Sequence, residues 1–118
     1  MCGIVGIVNY KRDISNDYPL IRNMNNTIEK RGPDEDGYFF DKNVNLGHKR
    51  LIVIDPEGGK QPMSANFQGN TYTVVYNGQI YNTKELRRLL ENEGFTFERS
   101  LWYWNIIEII HILWIWCS

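Results

Sequence analysis

The chain begins Met1-Cys2-Gly3-Ile4-Val5-Gly6-Ile7-Val8, and its first strand and its chemistry both start within this stretch. The run Gly3–Val8 is short and apolar, which is typical of a buried strand. If an aminopeptidase removes Met1, which the small Cys2 permits, the thiol and the free α-amine belong to one residue. A nucleophile then lies beside a base whose reference pKa is about 7.7–8.0. The alternative for Cys2 alone is a small buried residue at the start of a strand.

The composition indicates one modest domain in a reducing compartment. The chain has 118 residues, a net charge of −1 and scattered basic residues, so neither nucleic acid nor a membrane is expected as a partner. Its two cysteines, Cys2 and Cys117, lie at opposite ends, which indicates neither a disulfide framework nor a metal site. The apolar start has no charged segment of the kind that opens a signal peptide. We predict a cytoplasmic location, which suits a free nucleophilic thiol.

Short runs rich in apolar and β-branched residues predict several strands in close succession. Besides Gly3–Val8, the predicted strands are Tyr38–Asp41, Val44–His48, Arg50–Ile54 and Thr71–Tyr76. Strands that follow one another through short turns favour antiparallel pairing. The predicted fold class is therefore α+β, with an antiparallel sheet and packed helices.

Capping residues and apolar spacing predict two helices. The first begins near Asp17 and Pro19 and ends before Gly32-Pro33. Its predicted apolar face consists of residues four apart: Leu20, Met24 and Ile28. The second begins at Asn82 or Thr83 and ends at Gly94. Its predicted capping-box partner and apolar face are Glu85 and then Leu86, Leu89 and Leu90.

Five short blocks follow one another along the chain. They are Cys2–Gly6, Arg31–Asp34 with Gly37, Leu46–Asp55, Gln61–Met63 and Tyr76–Asn82. Each block alone is weak, because a motif such as Arg-Gly-Pro-Asp can be an ordinary turn. In this order and spacing they resemble the N-terminal glutaminase domain of glutamine-dependent asparagine synthetases, a branch of the class II glutamine amidotransferases. Residues 1–97 are accordingly identified as a partial domain of this class.

The resemblance implies a fold, a reaction and partners. The fold is an N-terminal-nucleophile hydrolase type α/β/β/α sandwich, incomplete, of which this chain holds the first half. Cys2 attacks the side-chain amide of glutamine, ammonia leaves, and water hydrolyses the glutamyl thioester. In the family the ammonia reaches a synthetase domain that amidates aspartate with ATP and magnesium. This sequence has no phosphate-cradling Gly-rich loop, so no cofactor and no metal are expected here. The expected partners are glutamine and a synthetase domain or a full-length synthetase.

The resemblance also implies roles for individual residues of the site. The Asn77 side-chain amide and the Gly78 backbone N–H match the donors that stabilise the oxyanion formed when the amide is attacked. An Asn-Gly hairpin turn is the structural alternative for this pair. Arg50 matches the arginine that binds the α-carboxylate of glutamine, to which its planar fork is suited. Backbone groups near Ile52 and Val53 are expected to line the same pocket.

Four neighbouring residues receive weaker or structural roles. Gln79 stands where the family often has an acidic residue, so it keeps a carbonyl acceptor but loses the charge that attracts the α-ammonium of glutamine. His48 is expected to pack or hydrogen-bond within its block and is not assigned as the base. Arg31 and Asp34 are expected to fix loops by bonding backbone groups.

The sequence changes character after residue 97. All the tryptophans lie in the segment 102–118, and the family's Ser-Asp-Thr-Glu block, whose aspartate binds the α-ammonium of glutamine, does not follow Phe97. We interpret residues 98–118 as a frameshifted tail, because Trp has the single codon TGG and reading one base forward turns each Trp into Gly. A membrane anchor and a divergent packed helix are the alternatives. An anchor fits poorly, because a span needs about 20 predominantly apolar residues and this segment carries polar ones.

We therefore expect a glutaminase fragment with little or no activity by itself. The alternatives are a non-catalytic glutamine-binding or regulatory module and a non-functional truncated gene product. Co-purification with a synthetase would favour the module, and failure to find soluble protein in the source cell would favour the last.

Overall fold

The computed structural model of the chain describes residues 2–52, 59–67, 69–78 and 81–94. Its elements are β1 (Gly3–Val8), α1 (Tyr18–Thr27), a 3-10 turn (Glu29–Arg31), β2 (Glu35–Phe40), β3 (Val44–Arg50), β4 (Met63–Phe67), β5 (Asn70–Val74) and α2 (Thr83–Asn92). The chain contains both helices and strands, and the larger sheet is antiparallel, which confirms the predicted α+β class. Val53, Ile54, Gln79 and the tail 98–118 lie outside the described residues.

Two compact units make up the chain. One consists of Met1–Ser64 with Thr73–Asn77, and the other of Ala65–Tyr72 with Gly78–Ser118. The first holds the larger sheet and α1, and the second holds α2. None of the helices within the described ranges combines the length and the apolar character that a membrane span requires.

The larger sheet has the strand order β1-β3-β2, so β3 is its central strand. The register pairs Gly3 of β1 with Lys49 of β3, and Glu35 of β2 with Arg50 of β3. Cys2 precedes Gly3 and Arg50 follows Lys49, so in this antiparallel pair Cys2 lies opposite Arg50. Directly opposed residues of neighbouring strands have their side chains on the same face. The ends of three strands thus bring Cys2, Arg50 and Glu35 to one row on one face of the sheet.

The opposite face of the sheet packs against α1. A Cβ built on Gly47 of β3 would lie 2.7 Å from Val5 and 3.3 Å from the Asn25 side chain of α1, so this contact needs a glycine. Ile21 and Asn25 of α1 are completely buried. Since Gly47 and Lys49 share this face by the alternation of a strand, Arg50 and His48 lie on the other one.

Two details of α1 correct the sequence prediction. The apolar face predicted at Leu20, Met24 and Ile28 is wrong by one position, since Leu20 is 51% exposed while Ile21 and Asn25 are fully buried. Asn25 is polar and escapes an apolar pattern, yet its Nδ2 donates to the His48 carbonyl oxygen at 3.4 Å. Asp17 precedes the helix without a side-chain cap, because its carboxylate pairs with Arg12.

Two details of the strands also differ. β4 was not predicted, because its Met-Ser-Ala-Asn-Phe sequence is too polar to stand out; its Ser64 shares a 2.8 Å hydroxyl hydrogen bond with Thr73 of β5. The strand predicted over Arg50–Ile54 is wrong at Leu51 and Ile52, because β3 ends at Arg50. The next two backbone N–H groups, of Leu51 and Ile52, donate to side chains instead of a neighbouring strand.

The second predicted helix is present as α2, with two differences. Asn82 is its N-cap residue but forms no side-chain capping bond, so the capping box with Glu85 is not made. Of the predicted apolar face, Leu90 is buried whereas Leu89 is 55% exposed. Gly94 follows the helix with a φ of 94°, a left-handed conformation that favours glycine and ends the helix as predicted.

Candidate active site

The thiol of Cys2 lies against the end of the central strand. The backbone N–H of Leu51 donates to Cys2 Sγ at 3.4 Å, and Sγ lies 3.8 Å from the Leu51 carbonyl oxygen. Cys2 is half-buried, so its sulfur is held in place and still partly accessible. The residue predicted as nucleophile thus contacts Leu51, and the strand register places it opposite Arg50, which lies 48 residues away in the chain.

Two side chains from the Arg31–Asp34 block fix the backbone around the thiol. Arg31 Nε donates to the Cys2 carbonyl oxygen at 3.2 Å. Asp34 Oδ2 accepts from the Ile52 backbone N–H at 2.7 Å, and the Asp34 N–H donates to the Arg50 carbonyl oxygen at 3.0 Å. The prediction that these two residues fix loops is confirmed. Between them, a side chain on Gly32 would collide with the Lys49 carbonyl group, so only glycine allows this approach.

Arg50 is a buried cation that pairs with Glu35. Its side chain is 5% exposed, and Nη1 donates to Glu35 Oε2 at 2.9 Å. On another side the guanidinium lies against Gly59, where an added Cβ would come within 2.5 Å of Nη2. The Lys60 ammonium lies 3.9 Å from the other oxygen of Glu35. The guanidinium of Arg50 is therefore buried against Glu35 and Gly59.

The side chain of Gln61 binds the backbone of Tyr76, the residue directly before Asn77. The side-chain amide of Gln61 accepts from the Tyr76 N–H at 2.5 Å and donates to the Tyr76 carbonyl oxygen at 3.0 Å, as a neighbouring strand would. Gln61 is buried, and its own carbonyl group packs against Gly37 of β2, where no side chain could fit. The backbone directly before the half-buried Asn77 is thus bound to Gln61, whose carbonyl group lies on the face of the sheet that carries Arg50.

His48 lies on the same face, next to these groups, and is 1% exposed. Burial is the main cause that lowers its pKa to about 4; the charge of Arg50 lowers it further, while a hydrogen bond to the backbone of Tyr76 acts in the opposite direction. Within the described residues its Nε2 has no hydrogen-bond partner. His48 is therefore neutral at pH 7, in agreement with the structural role predicted for it.

The pKa of His48 predicts how stability changes with pH. The unfolded chain binds a proton below about pH 6.5, whereas the folded chain does so only below about pH 4. Because the unfolded state binds more protons in this window, the free energy of unfolding falls as the pH drops from about 6.5 to 4, by at most about 3 kcal/mol. Urea unfolding of the unmodified chain and of His48→Gln at pH 7 and pH 5 measures this. We expect a smaller loss in His48→Gln; equal losses would contradict the assignment.

Some of the predicted site residues lie in the same compact unit, and others lie outside the described residues. Cys2, Arg50, Ile52 and Asn77 lie in one compact unit, with Ile52 exposed and its N–H bound to Asp34. Gly78 is exposed and follows Asn77 directly. Across the described ranges no three His, Cys, Asp or Glu side chains are placed to hold a metal ion.

Sequence reasoning missed two residues of this region. Glu35 received no role, because its pairing with Arg50 depends on the register of β2 with β3. Gln61 belongs to one of the five blocks, but its hold on Tyr76 is a tertiary contact that the block does not reveal. The adjacent acidic pair Glu35-Asp36, facing the basic pair Lys49-Arg50, was the one signal that could have suggested two cross-strand ion pairs.

Comparison with known proteins yields one consistent result. The model of a glutamine amidotransferase domain family matches residues 1–101. Two asparagine synthetases described as glutamine-hydrolyzing, numbers 3 and 1 of Bacillus subtilis, are 45% identical over 100 residues and 46% identical over 99 residues. These alignments cover 85% and 82% of this chain but 16% and 15% of those proteins. A glutamine-hydrolyzing asparagine synthetase of Arabidopsis thaliana is 36% identical over 95 residues, covering 80% of this chain and 16% of that protein. The chain thus spans a small part of each relative.

Proposed function

Because this chain belongs to the glutamine amidotransferase domain family, we propose that it releases ammonia from the side-chain amide of glutamine, with Cys2 as nucleophile. The observation that carries this proposal is the contact of Cys2 Sγ with Leu51, the residue that directly follows Arg50 and its buried guanidinium. A nucleophile and a carboxylate-binding group in one row suit a substrate that has an amide at one end and a carboxylate at the other.

The chemistry proceeds through a thioester. The α-amine of Cys2, free once Met1 is removed, takes the thiol proton while Sγ forms a bond to the amide carbon. The oxyanion that develops is stabilised by the side-chain amide of Asn77 and the backbone N–H of Gly78. The protonated amine gives its proton to the leaving nitrogen as the C–N bond breaks and ammonia departs. Water then attacks the thioester, which releases glutamate and restores the thiol.

Substrate recognition depends on charge at the other end of glutamine. Arg50 binds the α-carboxylate, and backbone groups near Ile52 and Val53 line the pocket. Gln79 offers an uncharged acceptor to the α-ammonium, and the aspartate that the family places after Phe97 is lacking in this sequence. We therefore expect slow turnover with weak binding of glutamine rather than loss of the chemistry.

The wider assignment follows from the family. We propose that residues 1–97 adopt part of the α/β/β/α sandwich of N-terminal-nucleophile hydrolases. Helix packing on one face of the sheet and the Gln61 segment on the other are compatible with these layers. The ammonia would serve a synthetase domain or a full-length synthetase, where ATP and magnesium would be used to amidate aspartate. A cytoplasmic location fits a nucleophilic thiol, which a reducing compartment protects.

A glutaminase assay tests the proposal. Purified chain, with removal of Met1 verified by intact mass, is incubated with L-glutamine, and glutamate and ammonia are measured together. We expect equal amounts of both products at a slow rate, and none with L-asparagine, whose amide is one methylene closer to the α-carbon. A chain with Cys2 at its N-terminus that releases no glutamate would rule out the proposed catalysis.

A further inference from the structure

We infer that Glu35 is a positioning residue for Arg50 and thereby determines the preference of the site for substrates with an α-carboxylate. This inference rests on the proposed function, because it assigns Arg50 to the carboxylate of glutamine. The resemblance assigns no role to Glu35. Its position follows instead from the strand register, which pairs Glu35 of β2 with Arg50 of β3.

Burial makes the partner of Arg50 important. Removing a guanidinium from water costs free energy unless a counter-ion and hydrogen bonds replace its hydration. The Arg50 side chain is 5% exposed, and Glu35, which is 31% exposed, supplies a charge-assisted hydrogen bond of 2.9 Å to Nη1. Gly59, which has no Cβ, leaves room for Nη2. The Glu35 carboxylate is therefore one of the groups that hold the guanidinium fork in place.

The Glu35 carboxylate is shared between two cations of very different exposure. Arg50 and Lys60 both lie within 4 Å of it, at 2.9 Å and 3.9 Å. Lys60 is 65% exposed, so solvent screens its charge and its long contact contributes little. The carboxylate therefore acts mainly on Arg50, and a change in its position is transmitted to the guanidinium.

The neighbouring ion pair provides a matched control. Lys49 and Asp36 are the adjacent cross-strand pair of the same two strands, with Nζ 2.6 Å from Oδ1. Lys49 is buried like Arg50, but successive residues of a strand face opposite sides of the sheet, so this pair faces α1. A change in it alters the stability of the sheet without reaching the thiol.

The test compares Glu35→Asp with Asp36→Glu, each made in chains that carry Cys2→Ala so that binding is measured without turnover. Glu35→Asp keeps the charge but shortens the side chain by one methylene, which breaks the 2.9 Å contact. Isothermal titration with L-glutamine should give a Kd about 10-fold higher for Glu35→Asp, because a displaced guanidinium loses about one charge-assisted hydrogen bond to the α-carboxylate. Asp36→Glu should change the Kd less than about twofold. Thermal unfolding of both variants verifies that they are folded.

A second ligand separates positioning from a general loss of structure. 4-Aminobutanamide is glutamine without its α-carboxyl group, so its Kd in the same titrations should not change when Glu35→Asp is introduced. An equal loss of affinity for both ligands would overturn the inference. Glu35 would then affect binding in a way that does not depend on the α-carboxylate of the ligand. Equal glutamine Kd values with and without Glu35→Asp would overturn it as well. Tighter glutamine binding by Glu35→Asp would do the same, because Glu35 would then compete with the substrate.

The titrations distinguish failure of the proposed function from failure of the inference about Glu35. If the chain binds glutamine but does not hydrolyse it, the catalytic proposal fails and the two Kd values still judge the role of Glu35. If glutamine does not bind at all, the inference about Glu35 is overturned together with the carboxylate role of Arg50.

Discussion

Replacing Cys2 with alanine is expected to lower glutamine hydrolysis at least about 10³-fold, the loss typical of removing a covalent nucleophile. The thiol is the atom that bonds to the substrate, and no other described side chain occupies its position against Leu51. Release of glutamate at saturating L-glutamine measures the effect. Thermal unfolding should change little, because the side chain is only half-buried and its sulfur forms weak hydrogen bonds with the backbone of Leu51.

The second cysteine of the chain provides the control. Cys117→Ser removes a thiol of the same kind from a position that belongs to none of the five blocks. We expect this variant to keep the rate of the unmodified chain. Equal rates for Cys2→Ala and the unmodified chain would show that the released glutamate has another origin.

Replacing Asn77 with aspartate is expected to lower kcat by about 10²–10³ while changing KM for glutamine only a little. The two side chains have the same shape, but aspartate has no N–H to donate and adds a negative charge where the oxyanion forms. Since the interaction exists only in the transition state, its loss affects kcat rather than binding. Steady-state kinetics with L-glutamine measures both constants.

Asn66→Asp is the matched control for this substitution. Asn66 lies on β4, where its side-chain oxygen accepts from the Thr71 hydroxyl at 2.6 Å, and it is exposed. We expect unchanged kinetics for this variant. A large rise in KM with unchanged kcat in Asn77→Asp would assign Asn77 to ground-state binding instead of the oxyanion.

Local signals predicted the elements whose determinants are local. The apolar run Gly3–Val8, the proline at the start of α1 and the glycine after α2 each act within a few residues, and the structure has the expected elements there. The predictions failed where contacts between residues far apart in the chain determine burial or the end of a strand. Asn25 is buried because it bonds β3, and β3 ends at Arg50 because side chains bind the next N–H groups.

The same distinction applies to the site. Residue types and family blocks pointed to Cys2, Arg50 and Asn77 without any knowledge of their distances. The register of β1 with β3 places Cys2 opposite Arg50, and Gln61 binds the backbone of Tyr76, directly before Asn77. Neither pairing can be read from spacing along the chain, because both join segments that are far apart in sequence.

The most direct test of the central claim is to observe the thioester itself. The chain is mixed with L-glutamine, quenched with acid within the first turnover and analysed by intact mass and peptide mapping. We predict that a γ-glutamyl group is added to the peptide that begins with Cys2 and that hydroxylamine removes it. A chain that hydrolyses glutamine while its N-terminal peptide stays unmodified at every quench time, or that carries the group on Cys117, would contradict the role of Cys2.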